Sequence, residues 1–150
     1  MRAGCVKGAW LAYKRRTYLG ITSDTGHTYM TLSTILERYD GWLDPCPHPR
    51  PAGFDGLQVD WGERACDNPL WGHIRPWVET ALEQCRKGCI VHMIRAAKPT
   101  TSVFHGRIFP NPEVVWIRRR ILYRRVRDDK TVSPGSCLVV MSPGDQQKCE

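Results

Sequence analysis

The chain has 150 residues, of which 41% are hydrophobic and 25% charged, and it carries a formal net charge of +7. That length suits one domain with a real core, and the composition is that of an ordinary soluble globular protein. No apolar run approaches a membrane span, and the basic excess favours polyanionic partners, nucleic acid first and acidic surfaces second.

Residues 1–27 are basic, rich in Gly and Thr, and without a sustained period, so they read as a loosely ordered lead-in. Their opening run makes a poor signal peptide, because Lys7 and Gly8 break its apolar part and more charge follows. A cytoplasmic location is expected. Leu32, Ile35, Leu36 and Tyr39 then form an i, i+3, i+4, i+7 stripe that predicts an amphipathic helix over 31–40, capped by Thr31 or Ser33. "GWLDPCPHPRPAG" follows, a short apolar approach to Asp44 and then four Pro between 45 and 51. That density predicts a strand end running into an irregular loop.

A short strand or turn is expected around Leu57–Val59, and a second strand leading into Asn68. Pro76 suits the first helical position; Trp77, Val78, Ala81, Leu82 and Cys85 share one face; Gly88 lies where a helix C-terminus wants it. "CIVHMIRAA" (89–97) has buried-strand character, with His92 as a core histidine. "SVFHGRIF" is a brief connection with one helical turn, "EVVWIRRRILYRRVR" a long β-rich segment, and "SCLVVMSPG" a final strand. Seven Cys, an odd number without framework spacing, read as reduced thiols. Cys85 and Cys89 lack a second ligand pair, and no metal is expected there.

This order of elements predicts a layered α/β sheet whose last two strands form an antiparallel hairpin at the C-terminal edge. The domain is expected to span 28–143, followed by a tail, 144–150. Ligands of open α/β sheets lie outside the carboxyl ends of the strands, and Asp44 and Asn68 both fall at such ends. Alone, Asn-Pro with a nearby Gly is ordinary turn chemistry.

Four stretches in order change that weighting: "YMTLSTILERYDGWLDPCPHP", "FDGLQVDWGERACDNPLWG", "RPWVETALEQCRKGCIVHMIRAAKPTTSVFH" and "EVVWIRRRILYRR" with the closing strand. From about Tyr29 to Ser142 the chain resembles the phage-type DNA N6-adenine methyltransferases. The resemblance implies a small single domain built on the Rossmann-like sheet of S-adenosylmethionine-dependent methyltransferases. It implies methyl transfer to adenine in double-stranded DNA, in the cytoplasm of a host cell, with no metal and no membrane.

Adenine's exocyclic amine is a poor nucleophile, because its lone pair is delocalised into the ring. Two acceptors aimed at its hydrogens, with a ring to hold the base, answer that difficulty. The resemblance gives these roles to the Asn68 carboxamide, the Pro69 carbonyl and the Trp71 indole, acting on a base extruded from the duplex. It places Thr31, Asp44, Pro45 and Cys46 on the cofactor side, with Asp55 as a further contact to ribose or adenine. Arg118, Arg119, Arg120, Arg124 and Arg125, with Trp116 and Tyr123 among them, make a phosphate-contacting rim.

The chain departs from the family pattern at four positions. Leu32 and Leu70 stand where Pro is usual, Arg95 replaces a Pro expected in the loop after a strand, and Arg119 replaces a Gly. Leu70 matters most, since Pro there fixes φ and stiffens the catalytic loop. The fold is expected to survive these changes, while full activity is in question. A homologue that has lost catalysis and only binds nucleic acid is the alternative; a small basic RNA-binding protein has only the charge in its favour.

Overall fold

The computed structural model describes residues 29–31, 33–69, 74–110, 112–118, 120–125 and 128–144, with 29–34 defined by backbone alone. The lead-in of residues 1–27, most of the tail, Leu32, Leu70, Trp71, His73 and Arg119 lie outside them.

Among the described residues, seven strands and two α-helices form a mixed α/β structure. They are β1 (Tyr29–Thr31), α1 (Ser33–Leu36), β2 (Arg64–Asp67), α2 (Ile74–Arg86), β3 (Ile90–Ala96), β4 (Glu113–Trp116), β5 (Tyr123–Arg125), β6 (Thr131–Val132) and β7 (Ser136–Met141). The main sheet has the order β2-β3-β7-β4 and the smaller one β1-β5-β6. β2 and β3 are parallel, while β7 runs antiparallel to both β3 and β4, so β4 points the same way as β2 and β3. Leu43 adds a one-residue parallel bridge to Ala65 beyond β2. No helix among the described residues is long and apolar enough to cross a membrane.

α2 follows the predicted periodicity: Trp77, Val78, Ala81, Leu82 and Cys85 are all buried. It ends in a Schellman turn, with Cys89 N–H donating to the Gln84 carbonyl and Gly88 N–H to that of Cys85, both at 3.0 Å. Gly88 takes φ +101°, a conformation that penalises any Cβ. The helix packs one face of the main sheet through Ala65, Val91, Met93, Val139 and Met141. On the opposite face, Cys66, Ile94, Ile121 and Tyr123 form a second core, joined by Ile35, Tyr39, Trp42 and Leu138. Alternation along β7 sends Cys137 and Val139 to the first core and Leu138 to the second, as a pleated strand requires.

Four expectations need correction. The helix foreseen over 31–40 is a strand end at Thr31, a four-residue helix and a 3-10 turn, Glu37–Tyr39. Gly41, at φ +82°, turns the chain so that Tyr39 and Trp42 reach His92 on the second face. The β-rich segment 113–127 is two strands in two different sheets, because Tyr123 leaves the main sheet to fill the second core. The terminal strands β4 and β7 pair antiparallel but form no hairpin, because the β5–β6 hairpin of the smaller sheet lies between them in the chain; β7 is inside the main sheet and β4 beyond it. Arg95 is the sixth residue of β3, paired with Cys137, and not a loop residue.

Candidate functional site at the carboxyl ends of the parallel strands

The Leu43–Ala65 bridge sets the geometry. Leu43 N–H donates to the Arg64 carbonyl at 3.0 Å, and Cys66 N–H to the Leu43 carbonyl at 2.8 Å. Asp44 therefore leaves its segment beside the end of β2, where Asp67, Asn68 and Pro69 follow one another. Asp44 Oδ1 accepts the Cys46 N–H at 3.0 Å, and this local turn hands Pro45 to the interior, where it is fully buried. Pro69 is buried as completely, and the Asn68 carboxamide oxygen is shielded from solvent although the residue as a whole is only half-buried.

Asp67 was not anticipated. It is 0% exposed, and neither carboxylate oxygen has a hydrogen-bond partner among the described residues. Burial pushes its carboxyl well above the ordinary aspartate value, and the charge of Asp44 pushes it further the same way. Two acidic side chains thus face each other electrostatically beside Asn68. The sequence did carry a signal: an acidic residue closing the otherwise apolar "ACD" of a strand, immediately before Asn-Pro. Such a residue finds no solvent at a buried strand end.

Asp55 has a structural use. It is exposed and its Oδ1 accepts the Leu57 N–H at 3.0 Å, capping a turn. The next residue, Gly56, lies so close to Pro45 that an added Cβ would stand 1.7 Å from the Pro45 carbonyl oxygen. The Asp55 turn is thereby locked against the Asp44–Cys46 wall. Trp61 closes the loop by donating its indole N–H to the Gly56 carbonyl at 2.7 Å. Gln84 of α2 fastens it, accepting the Trp61 N–H at 3.2 Å and donating to the Val59 carbonyl at 3.3 Å. Thr31 sits apart, in β1 of the smaller sheet, opposite Tyr123. Trp71 and Arg119 lie outside the described residues.

The remaining titratable candidates divide clearly. His92 Nδ1 is 3.2 Å from the Tyr39 hydroxyl, and burial lowers its pKa, so it is a partnered core histidine. The arginine cluster is less uniform than its sequence. Arg124 is ion-paired with Asp129 and Arg125 with Asp128, and Tyr123 is buried with its hydroxyl donating to Ser136 Oγ at 3.1 Å. Arg118 and Arg120 stand exposed, Arg120 also donating to the Ser133 carbonyl at 3.0 Å. Arg95 is the opposite case, 4% exposed, with its guanidinium 4.6 Å over the Phe104 ring. Cys46, Cys66, Cys85, Cys89 and Cys137 are thiols outside any disulfide bond. Among the described residues no three His, Cys, Asp or Glu side chains converge as metal ligands would.

Acceptor oxygens gathered at a strand end in this way suit a ligand that brings N–H donors. Compared with known families, curated proteins and solved structures, the chain has no match.

Proposed function

We propose that the chain is an S-adenosylmethionine-dependent adenine-N6 DNA methyltransferase of phage type, on a Rossmann-like sheet. One observation carries this reading: Asp44, Asp67, Asn68 and Pro69 come together at the carboxyl ends of parallel segments, the rim where ligands of open α/β sheets bind. The resemblance of four sequence stretches, in order, to that family supports the same reading.

The residues fit the donor by their acceptor oxygens. Asp67, buried and without a hydrogen-bond partner among the described residues, and Asp44 beside it supply acceptors, and S-adenosylmethionine brings a sulfonium and an ammonium. The cofactor supplies a methyl group already activated for transfer. Asp44, Pro45 and Cys46 form its wall. Asn68 accepts one hydrogen of the adenine amine through its carboxamide oxygen, and the Pro69 carbonyl accepts the other. With both hydrogens drawn away from the ring plane, the nitrogen lone pair is freed toward the donor. Trp71 stacks on the extruded base. Burial of Asn68 Oδ1 and Pro69 lowers the local dielectric and strengthens both contacts. The catalytic gain is one of position: two reactants held in line.

Transfer of labelled methyl groups from S-adenosylmethionine to double-stranded DNA tests the proposal. Asn68→Ala is expected to reduce the rate by about 100-fold or more, as loss of one preorganised electrostatic partner does elsewhere. Equal incorporation by both proteins removes the assignment. The exposed pair Arg118 and Arg120 favours a second reading, a homologue that binds nucleic acid without catalysis. Calorimetric titration separates the two, since only the enzyme gives a binding heat with S-adenosylmethionine.

A further inference from the structure

β4 is the last strand of the main sheet, and Trp116, its final residue, is 53% exposed. Its ring lies parallel to that of Phe104, at 10° and 6.4 Å between centroids. Phe104 is itself fully buried, covered by the Arg95 guanidinium and flanked by Phe109 at 5.4 Å. Guanidinium, phenyl and indole thus form a layered stack rooted in β3 and ending at the surface. Because Phe104 fixes the plane of Trp116, contact with another flat ring costs little additional side-chain entropy.

The register of the sheet places this platform relative to Asn68. Trp116 is opposite Cys137, Cys137 opposite Arg95, and Asp67 opposite Met93. β4 and β2 point the same way, so Trp116 and Asn68 both lie at carboxyl ends, on one rim. Three inter-strand spacings separate them, roughly 14 Å at about 4.8 Å each. Two exposed arginines, Arg118 and Arg120, follow Trp116 directly in the chain. A cationic pair beside a flat aromatic matches a phosphate backbone beside a base, and the chain's net charge of +7 favours the same polyanion.

We propose that Trp116 is a base-stacking platform for an unpaired nucleotide, with Arg118 and Arg120 holding the adjoining phosphates. The platform serves the same nucleic-acid strand that enters at Asn68, some nucleotides away. It rests on the nucleic-acid part of the reading above, and not on methyl transfer.

Fluorescence anisotropy with a labelled single-stranded oligonucleotide at low salt provides the test. Trp116→Ala is expected to weaken binding about tenfold or more, whereas Trp116→Phe stays within about threefold of the parent, because every base stacks on either ring. Trp116→Ala should leave the salt dependence unchanged, since no phosphate contact is lost. The parent's tryptophan emission should be quenched by oligonucleotide to a greater degree than that of Trp116→Phe. That comparison stands even if the alanine variant fails to fold. Equal quenching in the two, parental affinity in a folded Trp116→Ala, or no binding by the parent overturns the proposal. So does concentration-dependent self-association that Trp116→Ala abolishes, which would make this face a protein interface. No arm contains S-adenosylmethionine, so stacking without cofactor heat leaves this inference in place and removes the enzyme. Methyl transfer that survives while Trp116→Ala binds as the parent does removes this inference alone.

Discussion

Asp67 is a carboxyl fully buried from the surface, with no hydrogen-bond partner among the described residues, placed beside a second carboxyl. The folded protein therefore keeps a proton there that the unfolded chain releases near the ordinary aspartate pKa of 3.8. Where the folded state holds more protons than the unfolded, stability falls as pH rises. The decline begins at the unfolded pKa and ends at the raised folded one. Asp67→Asn mimics the protonated acid without titrating. Its melting temperature is expected to gain on that of the parent as pH is raised from 4 to 8, and parallel melting curves would show Asp67 to be compensated. The same residue shows the limit of motif reading. Asn68 and Pro69 were picked out by a short motif ordered along the chain, whereas Asp67 stands out through its burial beside Asp44.

At the level of elements, the proline-rich loop is where packing does most. Its sequence predicts irregularity, and it is irregular, but it is also tightly fixed. Gly56→Ala would drive a methyl group into the Pro45 carbonyl, and a loss of roughly 3 kcal/mol is expected in urea denaturation. Gln84→Ala would leave the buried Trp61 N–H without its acceptor and the Val59 carbonyl without its donor. A loss of about 2 kcal/mol is expected. Gly88→Ala acts on backbone conformation alone, at φ +101°, and should lose about 1 kcal/mol. α2 was legible because thirteen residues of one period leave little ambiguity. The 31–40 stripe was not, because a few apolar residues satisfy a helix, a strand end and a 3-10 turn equally well. The 113–127 run failed for a related reason: β-propensity says that a segment extends, and not which sheet it joins.

Over the whole molecule, charge is distributed less evenly than its sum suggests. Arg124 and Arg125 face Asp129 and Asp128, so this hairpin contributes little field outward. Burial withholds Arg95 from solvent. DNA affinity should therefore depend on Arg118 and Arg120. Replacing both by Ala is expected to reduce the slope of log affinity against log salt by about two, and replacing Arg124 and Arg125 by less than one. Titrations between low and moderate salt measure this directly, and equal slope changes would return the hairpin arginines to the interface.

Legible in the residues alone were the α/β class, helix α2 with the glycine at its C-terminal end, a strand leading into Asn68 and the turn at Asp44. All of these rest on local periods and local backbone rules. Only the tertiary structure decided that β7 inserts between β3 and β4, that Asp67 is a carboxyl without solvent, that half of the described arginine rim is internally neutralised, and that Trp116 is held flat. Each of these depends on which segment lies across the sheet or beneath the side chain, and contacts between residues distant in the chain leave no periodic trace in it.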